Sequence, residues 1–155
     1  MTAGWDTKIL VLDTTSLHVV AEVPTPPDIR PIAIACGPSV VVGLQIPTLY
    51  RIEGDKAVPA GSFAAGDGVG HLAYYGDGRV VATDGVANLV VFCDGRAENC
   101  VTRPLDGQPR DISAMGSTVA ILSWTGTQVA FFNGDTYELE GRMPVPRLPR
   151  GLLLG

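Results

Sequence analysis

The sequence predicts an all-β protein, a β-propeller of about four four-stranded blades whose N- and C-termini share one blade. Three observations carry that reading. Short apolar stretches ending in glycine recur along the chain, closing at Gly37, Gly76, Gly116 and Gly155, at intervals of 39, 40 and 39 residues. The 19 glycines and 12 prolines are spread along the length rather than gathered in a linker, so the turns are many and short. Hydrophobic residues make up 46% and charged residues 17% of the 155 residues, too apolar for disorder and enough for a sizeable core.

Each repeat opens with an apolar first strand, at 32–37, 72–76, 112–116 and 152–155. Second strands follow at 40–43, 79–82 and 118–122, and third strands at 48–52, 88–92 and 128–132. The third strands run into polar turns, Glu53-Gly54-Asp55-Lys56, Asp94-Gly95-Arg96 and Asn133-Gly134-Asp135-Thr136, which supply the positive backbone angles a hairpin needs. A more polar fourth strand, such as Tyr137-Glu138-Leu139-Glu140, completes the unit. Inner strands of a blade pack against neighbouring blades and the outermost faces water, so the gradient from apolar to polar fits.

The chain ends fit the same plan. Residues 8–13 match a third strand and its turn, and 18–23 match a fourth, with 1–5 as a truncated second strand. The first strand at 152–155 would then complete that blade. The expected division is one domain, 1–155, with repeats at about 29–67, 68–107, 108–144, and 145–155 joined to 1–28. Two other architectures satisfy the same spacing: half of an eight-bladed ring formed by two chains, and a piece of a longer propeller.

The stretch Ile9-Leu10-Val11-Leu12-Asp13-Thr14-Thr15-Ser16-Leu17-His18-Val19-Val20 resembles the strand, turn and strand of the YVTN and NHL type propeller repeats. Val90-Val91-Phe92-Cys93-Asp94-Gly95 matches the same pattern loosely. The resemblance implies a fold and no single activity, since members include binding scaffolds, lyases, lactonases and dehydrogenase subunits. No Trp-Asp dipeptide closes each repeat, and Trp5-Asp6 precedes a third strand, which disfavours the regulatory WD40 class.

A net charge of −5 disfavours a nucleic-acid backbone or an anionic membrane as partner. Residues 1–6 lack a basic stretch leading into an apolar core, so no signal peptide is expected, and no apolar run has membrane-spanning length. The compartment is not legible. Of the three cysteines, Cys36 lies in an apolar strand and reads as a buried, inert thiol. Cys93 and Cys100 flank a turn and are sterically able to bond, but the odd total favours unpaired thiols. With His18 and His71 far apart in sequence, no metal-ligand spacing results, and no cofactor is expected.

Propeller ligands sit where the entries to the first strands meet the turns between second and third strands. Arg30, Arg110 and Arg150 each stand two positions before an apolar first strand, and the fourth entry is Gly70-His71. Convergent guanidinium groups would favour a carboxylate or phosphate. The alternative is that each arginine pairs with a local acid such as Asp28 or Asp111 and caps its strand. Trp5 and Trp124 hold matching places at the ends of second strands, either as an exposed aromatic platform or as wedges between blades. No Gly-x-Ser-x-Gly elbow, His-Glu-x-x-His pair or phosphate-binding loop is present, and Gly66-Asp67-Gly68-Val69-Gly70 leads into a strand rather than a helix. Asp77-Gly78 and Asp84-Gly85 read as turns.

The expected function is a non-enzymatic binding or assembly module that presents a loop face to a protein partner or polymer, for instance within a larger assembly such as a virion. A small propeller enzyme, lyase or hydrolase, acting on an anionic substrate through Arg30, Arg110, Arg150 and His71 is the second expectation. A fragment whose function belongs to a longer parent chain is the third. Self-association into a homo-oligomer is compatible with all of them.

Overall fold

A computed structural model of the chain describes residues 7–13, 15–63, 68–146 and 151–152. The first sheet holds two strands, β1 (Lys8–Leu12) and β2 (Val19–Pro24). The second runs β3 (Pro31–Cys36), β4 (Val40–Leu44), β5 (Thr48–Glu53) and β6 (Lys56–Ser62) in spatial order. The third holds β7 (His71–Tyr75), β8 (Arg79–Asp84), β9 (Leu89–Cys93) and β10 (Val101–Pro104). The fourth holds β11 (Pro109–Met115), β12 (Thr118–Ser123), β13 (Gln128–Asn133) and β14 (Leu139–Pro144). All pairings are antiparallel and join sequence neighbours, as hairpin-linked blades require. The strand expected at 1–5 and all but Leu152 of the one expected at 152–155 lie outside the described residues, and Leu152 itself is in no strand. No helix of the described chain is long and apolar enough to cross a membrane.

The sheets stack face to face because alternate residues of each strand point to opposite neighbours. In the third sheet Val80, Ala82, Val91 and Cys93 face the second sheet and meet Val41, Leu49 and Phe63. Val81, Val90 and Phe92 face the other way and meet Val119, Ile121, Ala130 and Phe132 of the fourth. Ile9 and Val23 close the remaining interface against Val42, Leu44 and Tyr50. That is why β8 and β9 read as unbroken apolar runs rather than alternating ones: both faces are buried. Phe92 is the centre of an aromatic cluster, edge-on to Tyr75 at 6.0 Å and stacked on Tyr137 at 5.2 Å. The inner strands β3, β7 and β11 are neighbours around the axis.

Gly76 and Gly116, which close first strands, sit at φ of +56° and +57°, where a side chain would be strained. One expected strand shifts. Tyr137 and Glu138 belong to the turn before β14, with Tyr137 at φ of +62°, because its ring is drawn onto Phe92.

Two expectations about cysteine are corrected. Cys93 and Cys100 form a disulfide, because the turn between them brings the two residues face to face, with their Cα atoms 4.1 Å apart. Cys36 is exposed instead of buried, because it is the last residue of β3, paired with Val40 where the chain turns into β4. The disulfide-closed turn docks on the second sheet. Ala97 within it is fully buried, Arg51 Nη1 donates to the Arg96 carbonyl at 2.9 Å, and a Cβ on Gly61 would run into the Ala97 carbonyl oxygen.

A second cationic clasp spans the third and fourth sheets. Arg79 Nη1 donates to the Gly134 carbonyl at 2.8 Å, its guanidinium lies 4.8 Å over the Tyr75 ring, and Arg103 Nε donates to the Tyr137 carbonyl at 3.0 Å. Burial pushes the Tyr75 phenol up to about 12, and its O–H donates to the Gly134 carbonyl.

Closing a loop this short removes little entropy from the unfolded chain, so reducing the Cys93–Cys100 bond is expected to cost about 2–3 kcal/mol. Urea unfolding with and without a phosphine reductant measures it, and the Cys93→Ser/Cys100→Ser double variant should match the reduced protein.

Candidate functional site

Because β3, β7 and β11 are neighbours, their entries meet at one mouth, where the turns after β4, β8 and β12 also arrive. Backbone bonds tie the two sets together. Gln45 N–H donates to the Arg30 carbonyl and Trp124 N–H to the Gln108 carbonyl, while Gly70 N–H reaches the Thr83 carbonyl at 2.7 Å. The local sequence explains the shape. Pro31 and Pro109 begin their strands where a missing N–H costs nothing, so the arginines or their neighbours are held at the rim.

Arg30 is exposed at the entry to β3. Arg110 is exposed at the β11 rim, with its guanidinium 5.3 Å from the centroid of the Trp124 ring. Trp124 is 40% exposed, so one face of the ring is held by the arginine and part of it meets water. Asp111 is engaged elsewhere: Oδ1 accepts from Ile112 N–H and Oδ2 from Leu152 N–H at 2.9 Å. His71, half-buried at the start of β7, lies within electrostatic reach of Asp111 and Arg110. Burial lowers its pKa below 6.5 and the Arg110 charge adds to that, while Asp111 opposes it. The imidazole is therefore neutral at neutral pH. Arg150 and Trp5 lie outside the described residues.

Asp84, read from sequence as an ordinary turn residue, and Thr83 beside it are buried at this mouth. Asp84 Oδ1 accepts from Val86 and Ala87 N–H and so caps the turn, as Ser123 Oγ does for Gly126 N–H one sheet later. Among the described residues, Asp84 Oδ2 and Thr83 Oγ1 are buried without a hydrogen-bond partner. Thr83 stands opposite His71 in the β7–β8 register. A carboxylate closing an apolar strand is the sequence signal for this position; its burial comes from sheet stacking. Among the described residues no three histidine, cysteine or acidic side chains converge to hold a metal ion.

No protein-family model and no curated protein matches the sequence. Solved structures do. Virginiamycin B lyase from Staphylococcus aureus superposes with a TM-score of 0.80 at 13% identity, over 96% of this chain and 54% of the lyase. A protein of the mitotic checkpoint complex gives 0.77 at 12% identity, over 90% of this chain and 45% of its own. BBS1N, crystallised with ARL6DN, gives 0.71 at 13% identity, over 93% and 49%. The chain is a β-propeller of about four blades. It spans about half the length of the propellers it matches, and these likenesses establish its fold.

A histidine held neutral by burial contributes stability that is complete above its unfolded pKa and declines as pH falls through 6.5 toward the lower folded value, because the unfolded chain then binds the proton first. NMR titration is expected to place His71 below 6.5, with His71→Gln removing that part of the acid loss of stability. Arg110→Ala should uncover Trp124 and red-shift its emission.

Proposed function

We propose that this propeller is a non-enzymatic binding or assembly module whose mouth face receives a carboxylate-bearing protein partner or polymer. The carrying observation is the pairing of Arg110 with a partly exposed Trp124. An aromatic ring with a guanidinium beside it is the combination that contributes most at protein interfaces. Exposed Val86, in the turn after β8, and exposed Ile32, near the entry of β3, extend the apolar surface around it. Arg30 adds a second cation at the same rim. Two of the structural neighbours were crystallised with protein partners, as a checkpoint complex and as BBS1N with ARL6DN, which supports the reading by analogy of fold. The disulfide suits a setting in an oxidising compartment, such as an extracellular or virion assembly.

A second reading, a lyase or hydrolase acting on an anionic substrate, draws on one observation: His71 is neutral beside Arg110 at the mouth, a base next to an anion-binding group. Virginiamycin B lyase shares the fold, and a catalytically inactive histidine variant of it was crystallised with quinupristin.

Titration with poly-glutamate, followed by Trp124 emission, tests the first reading. Saturable quenching that Arg110→Ala weakens about tenfold is expected, since losing an interface anchor of this kind costs about 1–2 kcal/mol. Poly-glutamate binding, read by calorimetry, that Arg110→Ala and Trp124→Ala leave intact would remove the mouth as the site. Turnover abolished by His71→Ala with binding preserved would favour the enzyme.

A further inference from the structure

The turns after β4, β8 and β12 open with Gln45, Gly85 and Trp124. Register fixes what stands beside each of them at the mouth. Ala33 pairs with Gly43, His71 with Thr83 and Asp111 with Leu122, in each case two residues before the turn. The residues that precede them, Ile32, Gly70 and Arg110, are therefore equivalent. Ile32 and Arg110 are bulged out of their ladders, and a bulge re-aims its side chain. Arg30 is not the counterpart of Arg110. Its carbonyl accepts from Gln45 N–H as the Gln108 carbonyl accepts from Trp124 N–H, which puts Arg30 level with Gln108.

The second sheet thus presents Ile32 and Gln45 at the mouth, and the fourth presents Arg110 and Trp124, all exposed. The third sheet, between them, presents Gly70 and Gly85, both partly exposed. Neither glycine is demanded by the fold. Neither lies at positive φ. Among the described residues, a Cβ on Gly70 would come no closer than 3.6 Å to Thr83, and one on Gly85 no closer than 3.6 Å to Gln108. Neighbouring glycines differ: a Cβ on Gly43 would strike the Val69 side chain, and Gly68 has a φ of +123°. A glycine required by neither sterics nor backbone lowers stability through the freedom it gives the unfolded chain. Two of them, where adjacent sheets carry large side chains, leave a notch of bare backbone that a ligand can approach closely.

The walls of this notch differ in chemistry. Arg110 and Trp124, with the guanidinium 5.3 Å from the ring centroid, form one. Ile32, 48% exposed, forms the other, and exposed Val86 stands at the lip. The Thr83 hydroxyl, buried without a hydrogen-bond partner among the described residues, lies 3.6 Å from the empty Cβ position of Gly70.

We propose that the notch seats one acidic residue of a protein partner, its carboxylate on Arg110 and an adjoining aliphatic side chain on Ile32. A guanidinium fork binds a carboxylate in a defined direction, and an exposed aliphatic residue beside it gains only from an apolar neighbour. The inference rests on the mouth being the binding face and adds what that face selects: an acidic residue flanked by aliphatic ones, rather than negative charge alone.

Calorimetry on the oxidised chain tests it, with two acetylated and amidated peptides of equal charge, one repeating Leu-Glu-Leu and the other Ser-Glu-Ser, beside poly-glutamate. The leucine peptide is expected to bind about tenfold more tightly, from the aliphatic surface it buries, and Ile32→Ser should erase the difference. Gly70→Leu and Gly85→Leu, which fill the notch, should each weaken the leucine peptide by a similar factor. Gly70→Ala and Gly85→Ala should melt no lower than the wild type. Equal binding of the two peptides overturns the proposal, as does leucine-peptide binding that neither filled notch weakens. An alanine variant that melts lower also overturns it, because the glycine is then a folding requirement. Poly-glutamate binding that Arg110→Ala weakens but the filled notches do not would sink the notch and spare the mouth as the binding face. Failure of all three probes to bind would sink both.

Discussion

Each four-stranded sheet of this protein has two apolar faces, and either face is stable only against another layer. The rest of the structure follows from that constraint. A single antiparallel sheet with one wet face needs only one partner, but β8 and β9 bury both of theirs. Stacking therefore continues from sheet to sheet, and the inner strands are brought around a common axis where their entries meet. The candidate site is a by-product of this stacking. The β11–β12 hairpin brings Arg110 and Trp124 together, and the radial arrangement of sheets adds His71 from β7 to the same rim.

Polar interactions lock a geometry that the apolar contacts select. Arg51, Arg79 and Arg103 each reach from one sheet to a backbone carbonyl in a turn of the next. A guanidinium has several donors in a rigid fork, so it satisfies a turn carbonyl while keeping ion pairs to acids such as Asp135 or Glu98. These pairs are partly exposed and contribute modestly one by one. Their value lies in direction: they tie specific turns to specific sheets. The Cys93–Cys100 bond does the same covalently for the turn that carries Ala97.

The repeat was legible because glycine at strand ends and apolar period are backbone and burial requirements, which sequence records directly. The three arginines at strand entries were legible as a pattern, but their roles were not. Arg110 stacks on Trp124 while Asp111 caps backbone N–H groups, a division of labour between adjacent residues that depends on which turn lies above them. Asp84 looked like a turn residue and is one, yet its second oxygen is buried without a partner among the described residues because a neighbouring sheet covers it.

Sequence alone determined the class, the period and the strand order, since alternation, turn chemistry and spacing are local properties of the chain. It also placed Cys93 and Cys100 on either side of one turn, though a count of three thiols argued against their bond. Tertiary structure decided that they pair, because bond formation depends on the distance across a hairpin whose twist is set by docking on the second sheet. It decided likewise that Tyr137 leaves its strand for Phe92, and that Leu17 projects into water. Those outcomes rest on contacts between residues far apart in the chain, and no local pattern encodes them.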